Sequence, residues 1–168
     1  MRFLLLGGDE QAPVHEKGVQ LFGAWIEGQL DLENCLVPHG ITLSKCKFHK
    51  PIVIRDLHIA GLLSLSGSHL LQGLRADRLK CDSSVFLRDG FRSFAEVLMN
   101  AAQIGGSLSC SGGLFENMEG VALSANRAII KGGFFLKKPF KATGEVRLFG
   151  AQIGGNLACS GGLFEPKE

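Results

Sequence analysis

Residues 41–62 read ITLSKCKFHKPIVIRDLHIAGL, and four apolar-x-apolar triplets stand in them: Ile41/Leu43, Cys46/Phe48, Ile52/Ile54 and Leu57/Ile59. Successive triplets start five, six and five residues apart. Two like side chains separated by one residue are the period-two mark of an extended segment with both on one face. Three residues are too few for an ordinary strand, so the chain must turn after each triplet and present the next pair to the same interior.

The same phase extends in both directions. Val19, Leu30, Ile41, Ile52, Leu63, Leu74 and Val85 recur every 11 residues, as do Leu21, Leu32, Leu43, Ile54, Leu65, Ala76 and Leu87. Ala24, Cys35, Cys46, Leu57, Ser68 and Leu79, with Ile26, Val37, Phe48, Ile59, Leu70 and Cys81, form the interleaved set. An 11-residue apolar period also suits a right-handed coiled coil. Here the 23 glycines in 168 residues, many between triplets (Gly23, Gly28, Gly40, Gly61, Gly73), exclude long helices. Short sides, tight corners and a common interior describe a β-solenoid.

Past Leu87 the tracks continue with interruptions, and a 49-residue repeat lies over them: Phe91 to Asn117 matches Phe140 to Pro166 at 16 of 27 positions. Tandem duplication of 74–116 as 123–165 accounts for it. Two regions follow: an N-terminal cap segment, 1–17, and the solenoid, 18–168.

Units such as Gly23-Ala24-Trp25-Ile26-Glu27 and Gly150-Ala151-Gln152-Ile153-Gly154 resemble those of pentapeptide-repeat proteins, with a small residue and then a large apolar one two positions on. The period departs from that family's five, averaging 5.5. The resemblance implies an all-β, right-handed, quadrilateral parallel β-helix. Counting 26 sides, four to a coil, gives 6.5 coils, about 31 Å of rod at one strand spacing per coil.

Three stretches, 88–96, 116–122 and 137–145, exceed the regular spacing and are expected to stack as enlarged loops on one corner, between the second and third sides. They carry Arg88, Asp89, Phe91, Arg92, Phe94, Met118, Glu119, Lys137, Lys138, Phe140 and Lys141. Basic and aromatic side chains on a rigid frame suit a partner-protein surface, so Arg88, Asp89, Arg92, Phe94, Met118, Glu119, Lys137, Lys138 and Lys141 are the candidate binding residues; the alternative is that Phe91 and Phe140 turn inward.

No chemistry competes. The five cysteines, 35, 46, 81, 110 and 159, all fall on inward tracks and read as small buried side chains without a C-x-x-C pair. His15, His39, His49, His58 and His69 avoid those tracks and cannot gather around one metal. Gly105-Gly106 and Gly154-Gly155 lack the Lys-Ser/Thr of a phosphate loop and read as corners. No serine has an elbow motif or a His/Asp set. The expectation is a non-enzyme with no cofactor and no metal.

Eighteen basic residues against 16 acidic give +2, which matches neither a basic nucleic-acid binder nor an acidic DNA mimic. Phe3 to Leu6 is too short for a signal or a span, so the chain is expected to be cytoplasmic and off the membrane. A scaffold that binds an unidentified protein is the expected function. Two alternatives come with the resemblance: a DNA mimic acting on an enzyme such as gyrase, and a repeat domain of a larger membrane-associated or oxidoreductase-labelled protein. The repeat runs to Phe164 with no cap after it, so either the chain is a fragment of a longer protein or the last coil pairs with a second copy.

Overall fold

The computed structural model describes residues 1–11 and 13–165. Every strand pairing of the coil is parallel, and the chain winds as a right-handed β-helix with four walls. Wall one is Val19–Phe22, Ile41–Ser44, Leu63–Ser64, Val85–Phe86, Leu108–Ser109, Phe134–Phe135 and Leu157–Ala158. Wall two is Trp25–Ile26, Lys47–Phe48, His69–Leu70, Arg92–Ser93, the start of Leu114–Ser124, the start of Lys141–Arg147, and Leu163–Glu165. The ends of those two long strands join Leu30–Asp31, Ile52–Val53, Leu74–Arg75 and Val97–Leu98 in wall three. Wall four runs from Leu36–Val37 through His58–Ile59, Lys80–Cys81, Gln103–Ile104 and Ile129–Ile130 to Gln152–Ile153.

Register shows how the period behaves. Val19 stacks on Ile41, Ile41 on Leu63 and Leu63 on Val85, a 22-residue coil. The following steps, Val85 to Leu108, Leu108 to Phe134 and Phe134 to Leu157, take 23, 26 and 23 residues. Side chains on the tracks form one dry interior: Leu43, Leu65, Leu87, Cys110 and Leu136 are all 1% exposed or less along wall one. Each must fit a slot one strand spacing thick, and on wall two a large inward residue is always accompanied by a small one two positions away.

That rule changes the reading of the expected loops. Arg92–Ser93 pairs with His69–Leu70, and Lys141 pairs with Leu114, so 88–96 and 137–145 each contain a regular strand of wall two. Their inward pairs are Phe91/Ser93 and Phe140/Ala142, all at most 1% exposed. In the coil after each, the order reverses to Gly113/Phe115 and Gly162/Phe164. The four phenyl rings stack at 5.2, 5.4 and 5.3 Å between centroids, each contact contributing about 0.5–1.5 kcal/mol beyond area burial. A Cβ on Gly113 would lie 2.8 Å from the Phe115 ring, so that slot admits glycine alone. The 49-residue duplication is thus two coils carrying one large-small, small-large cycle.

Only 116–122 is an insertion at the corner between walls two and three. It lengthens Leu114–Ser124 into a single irregular strand whose pairing with Lys141–Arg147 shifts register between Glu116 and Val121. The expected ridge of three stacked loops is therefore one protrusion, because two of its members were wall strands hidden by inverted residue order.

Corners follow two physical rules. Between walls three and four, Asn34, Asp56, Arg78, Ala101 and Arg127 all adopt φ of 53–56°, so this left-handed column is built largely without glycine. Gly105, between walls four and one, has no such φ; a Cβ there would lie 2.3 Å from the Asp82 carbonyl oxygen. Its role is close backbone approach, in agreement with the corner reading of Gly105-Gly106.

At the N-terminal end, a short helix, Arg2–Leu5, lays Leu5, 1% exposed, on the first coil. Arg2 Nε donates to the Asp31 carbonyl oxygen at 3.2 Å. At the other end the described coil leaves Leu157, Leu163 and Phe164 between 42% and 50% exposed.

Adjacent residues test the phase. Ile104 is 1% exposed and inward, whereas Gln103 points out. Ile104→Asp buries an unpaired carboxylate and should cost more than about 4 kcal/mol, with Gln103→Asp within about 0.5 kcal/mol of wild type. Equal losses in urea unfolding would contradict the assignment.

Candidate functional site

All nine candidate residues border wall two. Arg92, Phe94 and Lys141 stand on its outer face. Arg88, Asp89, Lys137 and Lys138 line its corner with wall one, while Met118 and Glu119 sit on the 116–122 protrusion at its other corner. They are spread along the rod, not clustered on one ridge. Asn117 Nδ2 donates to the Val121 carbonyl oxygen at 3.0 Å and closes the protrusion, leaving Met118 71% exposed.

Register reveals a column that sequence reasoning missed. The central outward residues of wall two, one per coil, are Trp25, Lys47, His69, Arg92, Leu114, Lys141 and Leu163. Trp25 is 64% exposed, yet it is held: the His49 ring stacks on it at 5.1 Å with planes 14° apart, and Lys47 Nζ lies 4.7 Å from the ring centroid. Phe22, 70% exposed, sits beside it with Lys45 Nζ 5.1 Å from its ring. Such contacts hold the aromatic rings in place before any partner arrives. The signal was available: Trp25, Lys47, His69 and Arg92 share one outward phase, at steps of 22, 22 and 23 residues.

Electrostatics separates wall two from its neighbours. Along the corner between walls three and four charges pair from coil to coil, Arg55–Glu33 at 3.1 Å and Arg78–Asp56 as a two-pronged pair at 2.6 and 2.7 Å, and on wall four the His58 ring meets Asp82 at 3.0 Å. Lys45, Lys47 and Arg92 make no ion pair among the described residues, whereas Lys141 pairs with Glu165 at 2.8 Å. Burial, then the Arg92 guanidinium and the Lys47 ammonium, push the His69 imidazole below its usual range.

Wall three's outer edge also carries a polar ladder. Asn100 Nδ2 donates to Asp77 Oδ1 at 2.8 Å, Ser124 Oγ donates to Asn100 Oδ1 at 2.6 Å, and the Phe149 amide donates to Asn126 Oδ1 at 2.8 Å. Each side chain serves the next coil, so the ladder is structural.

The cysteines are free thiols. Burial pushes the thiols of Cys81 and Cys110 up, but Cys35 is half-buried and Cys159 exposed, because they belong to the terminal coils where stacking is one-sided. No group of three or more His, Cys, Asp or Glu gathers at metal-binding distance among the described residues. Among those residues no helix is long and apolar enough to cross a membrane. Comparison with family models, curated proteins and solved structures finds no match to this chain.

The His69 environment gives a direct test. In an NMR titration His69 should protonate below the usual imidazole value of about 6.5. Arg92→Gln removes one of the facing cations and should move that midpoint up. A midpoint that does not move contradicts the cationic column.

Proposed function

We propose that this β-helix is a non-catalytic scaffold and that wall two is the surface it offers to another protein. The observation that carries the reading is the exposed Trp25, braced by Lys47 and His49 and continued by Lys47, His69 and Arg92 on a rigid sheet. Exposed aromatic and Arg side chains are the types that dominate protein-interface energetics. Arg88, Asp89, Phe94, Met118, Glu119, Lys137, Lys138 and Lys141 form the rim. The chain is taken as a divergent pentapeptide-repeat relative; inward pairs with the small residue first, such as Ala24/Ile26, Ser68/Leu70 and Ala102/Ile104, support this. Free thiols suit a reducing, cytoplasmic setting.

A gyrase-type DNA mimic wants a run of unneutralised carboxylates. Glu33 and Asp56 are each paired with an arginine and Asp82 is held by the His58 ring, which favours the protein-binding reading. A place within a larger membrane-associated or oxidoreductase-labelled protein is compatible with the same scaffold role.

A photo-crosslinking amino acid at position 94, on wall two, should capture a discrete protein in the cell that makes this chain. The same probe at 152, exposed on wall four, should not. Equal capture from both positions overturns the reading.

One observation favours a second partner as well. Leu157, Leu163 and Phe164 leave an apolar end 42–50% exposed beside open strand edges, and a second copy would cover it. Sedimentation at micromolar concentration should give a dimer that Leu163→Glu dissociates; a wild-type monomer ends that proposal.

A further inference from the structure

The column on wall two is an electrostatic anomaly within its own molecule. Lys47 and Arg92 flank His69 in one outward column of register partners, and neither cation has an ion-pair partner among the described residues. On the far side of the coil, along the corner between walls three and four and on wall four, cations meet carboxylates or a ring meets one: Glu33 answers Arg55, Asp56 answers Arg78, and Asp82 meets the His58 ring. Wall two has no such answer over these coils among the described residues. The fold therefore carries an uncompensated charge row whose natural complement is anionic and external.

Geometry narrows the complement. Lys47, His69 and Arg92 rise by one coil at a time, about 4.8 Å, with the two cations two coils apart. An α-helix laid along the rod axis repeats one face every 5.4 Å, whereas an extended chain repeats a face every 6.6–6.8 Å or so. Helical carboxylates one turn apart stay within side-chain reach of Lys47, His69 and Arg92, and an extended chain falls out of step after one coil. From Trp25 to Arg92 is three coil steps, about 14 Å, the length of roughly ten helical residues. Trp25, 64% exposed at the head of the column, gives the helix an apolar contact to bury. Nucleic acid is the poorer fit: wall two is a sheet face without a groove, and it offers only a few free cations where phosphate-binding surfaces use many.

On the reading that wall two binds protein, we propose that what it binds is an acidic amphipathic α-helix, lying along the rod axis with Glu or Asp at successive turns over Lys47, His69 and Arg92 and an apolar residue against Trp25.

The test uses the full chain and three fluorescent probes: a 16-residue helical peptide with Glu at one-turn spacing and Leu beside it, a peptide of the same composition with the Glu positions scrambled around the helix, and a single-stranded oligodeoxynucleotide. The patterned peptide should bind at least tenfold more tightly than the scrambled one. Lys47→Glu with Arg92→Glu should lower that affinity at least tenfold, and Trp25→Ala severalfold. Both variants should keep their melting temperature, because the substituted side chains stand on the outer face of the sheet. Equal binding of the two peptides, tighter binding of the oligonucleotide, or no binding of the patterned peptide overturns the inference. If the crosslink from position 94 still captures a protein in that case, wall two remains a protein surface and only the acidic helix is wrong; if that capture also fails, both readings fall.

Discussion

Everything in this molecule rests on the stacking of one coil on the next at a single strand spacing. Because the chain climbs only about 4.8 Å per turn, each inward side chain shares its slot with a neighbour two residues away and with its counterparts above and below. Volume is conserved slot by slot. Where a phenyl ring enters at Phe91 or Phe140, its partner shrinks to Ser93 or Ala142, and the next coil answers with glycine and Phe115 or Phe164. Polar residues survive inside only when satisfied: Ser68 Oγ donates to the Leu43 carbonyl oxygen at 2.6 Å and accepts from the Cys46 amide at 2.9 Å.

The same stacking dictates the outside. A side chain that points out in one coil lies against its register partner in the next, so charge on a wall is a matter of columns. The corner between walls three and four carries ion pairs along the rod, Arg55 with Glu33 and Arg78 with Asp56. Wall two carries the unpaired cations Lys47 and Arg92 on either side of His69 and an exposed, braced indole at its N-terminal end.

Most of the architecture was legible from the residues. Inward pairs on walls one, three and four keep the apolar-x-apolar form throughout, and the 11-residue phase read from 19 to 87 is the phase of the coil. Wall two in the fourth and sixth coils was not legible, because Phe91/Ser93 and Phe140/Ala142 place the large residue first and the small one second. Without a structure these strands look like loops. Trp25 was passed over for a related reason: its significance lies in Lys47 and His49 one coil later, contacts that register alone brings together. The lowered His69 likewise depends on burial and on neighbours 22 and 23 residues away.

The central claim is that the cationic column is built by regular strands in every coil, including those that look like loops. The amides of Arg92, Leu114 and Lys141 donate to carbonyls of the preceding coil, at Ser68, Phe91 and Gly113, over 2.8, 2.8 and 2.9 Å. Native-state hydrogen exchange measured residue by residue addresses these three directly. The account predicts protection at all of them comparable to that of Lys47 and His69; rapid exchange at Arg92 and Lys141 would return 88–96 and 137–145 to loops and dissolve the column.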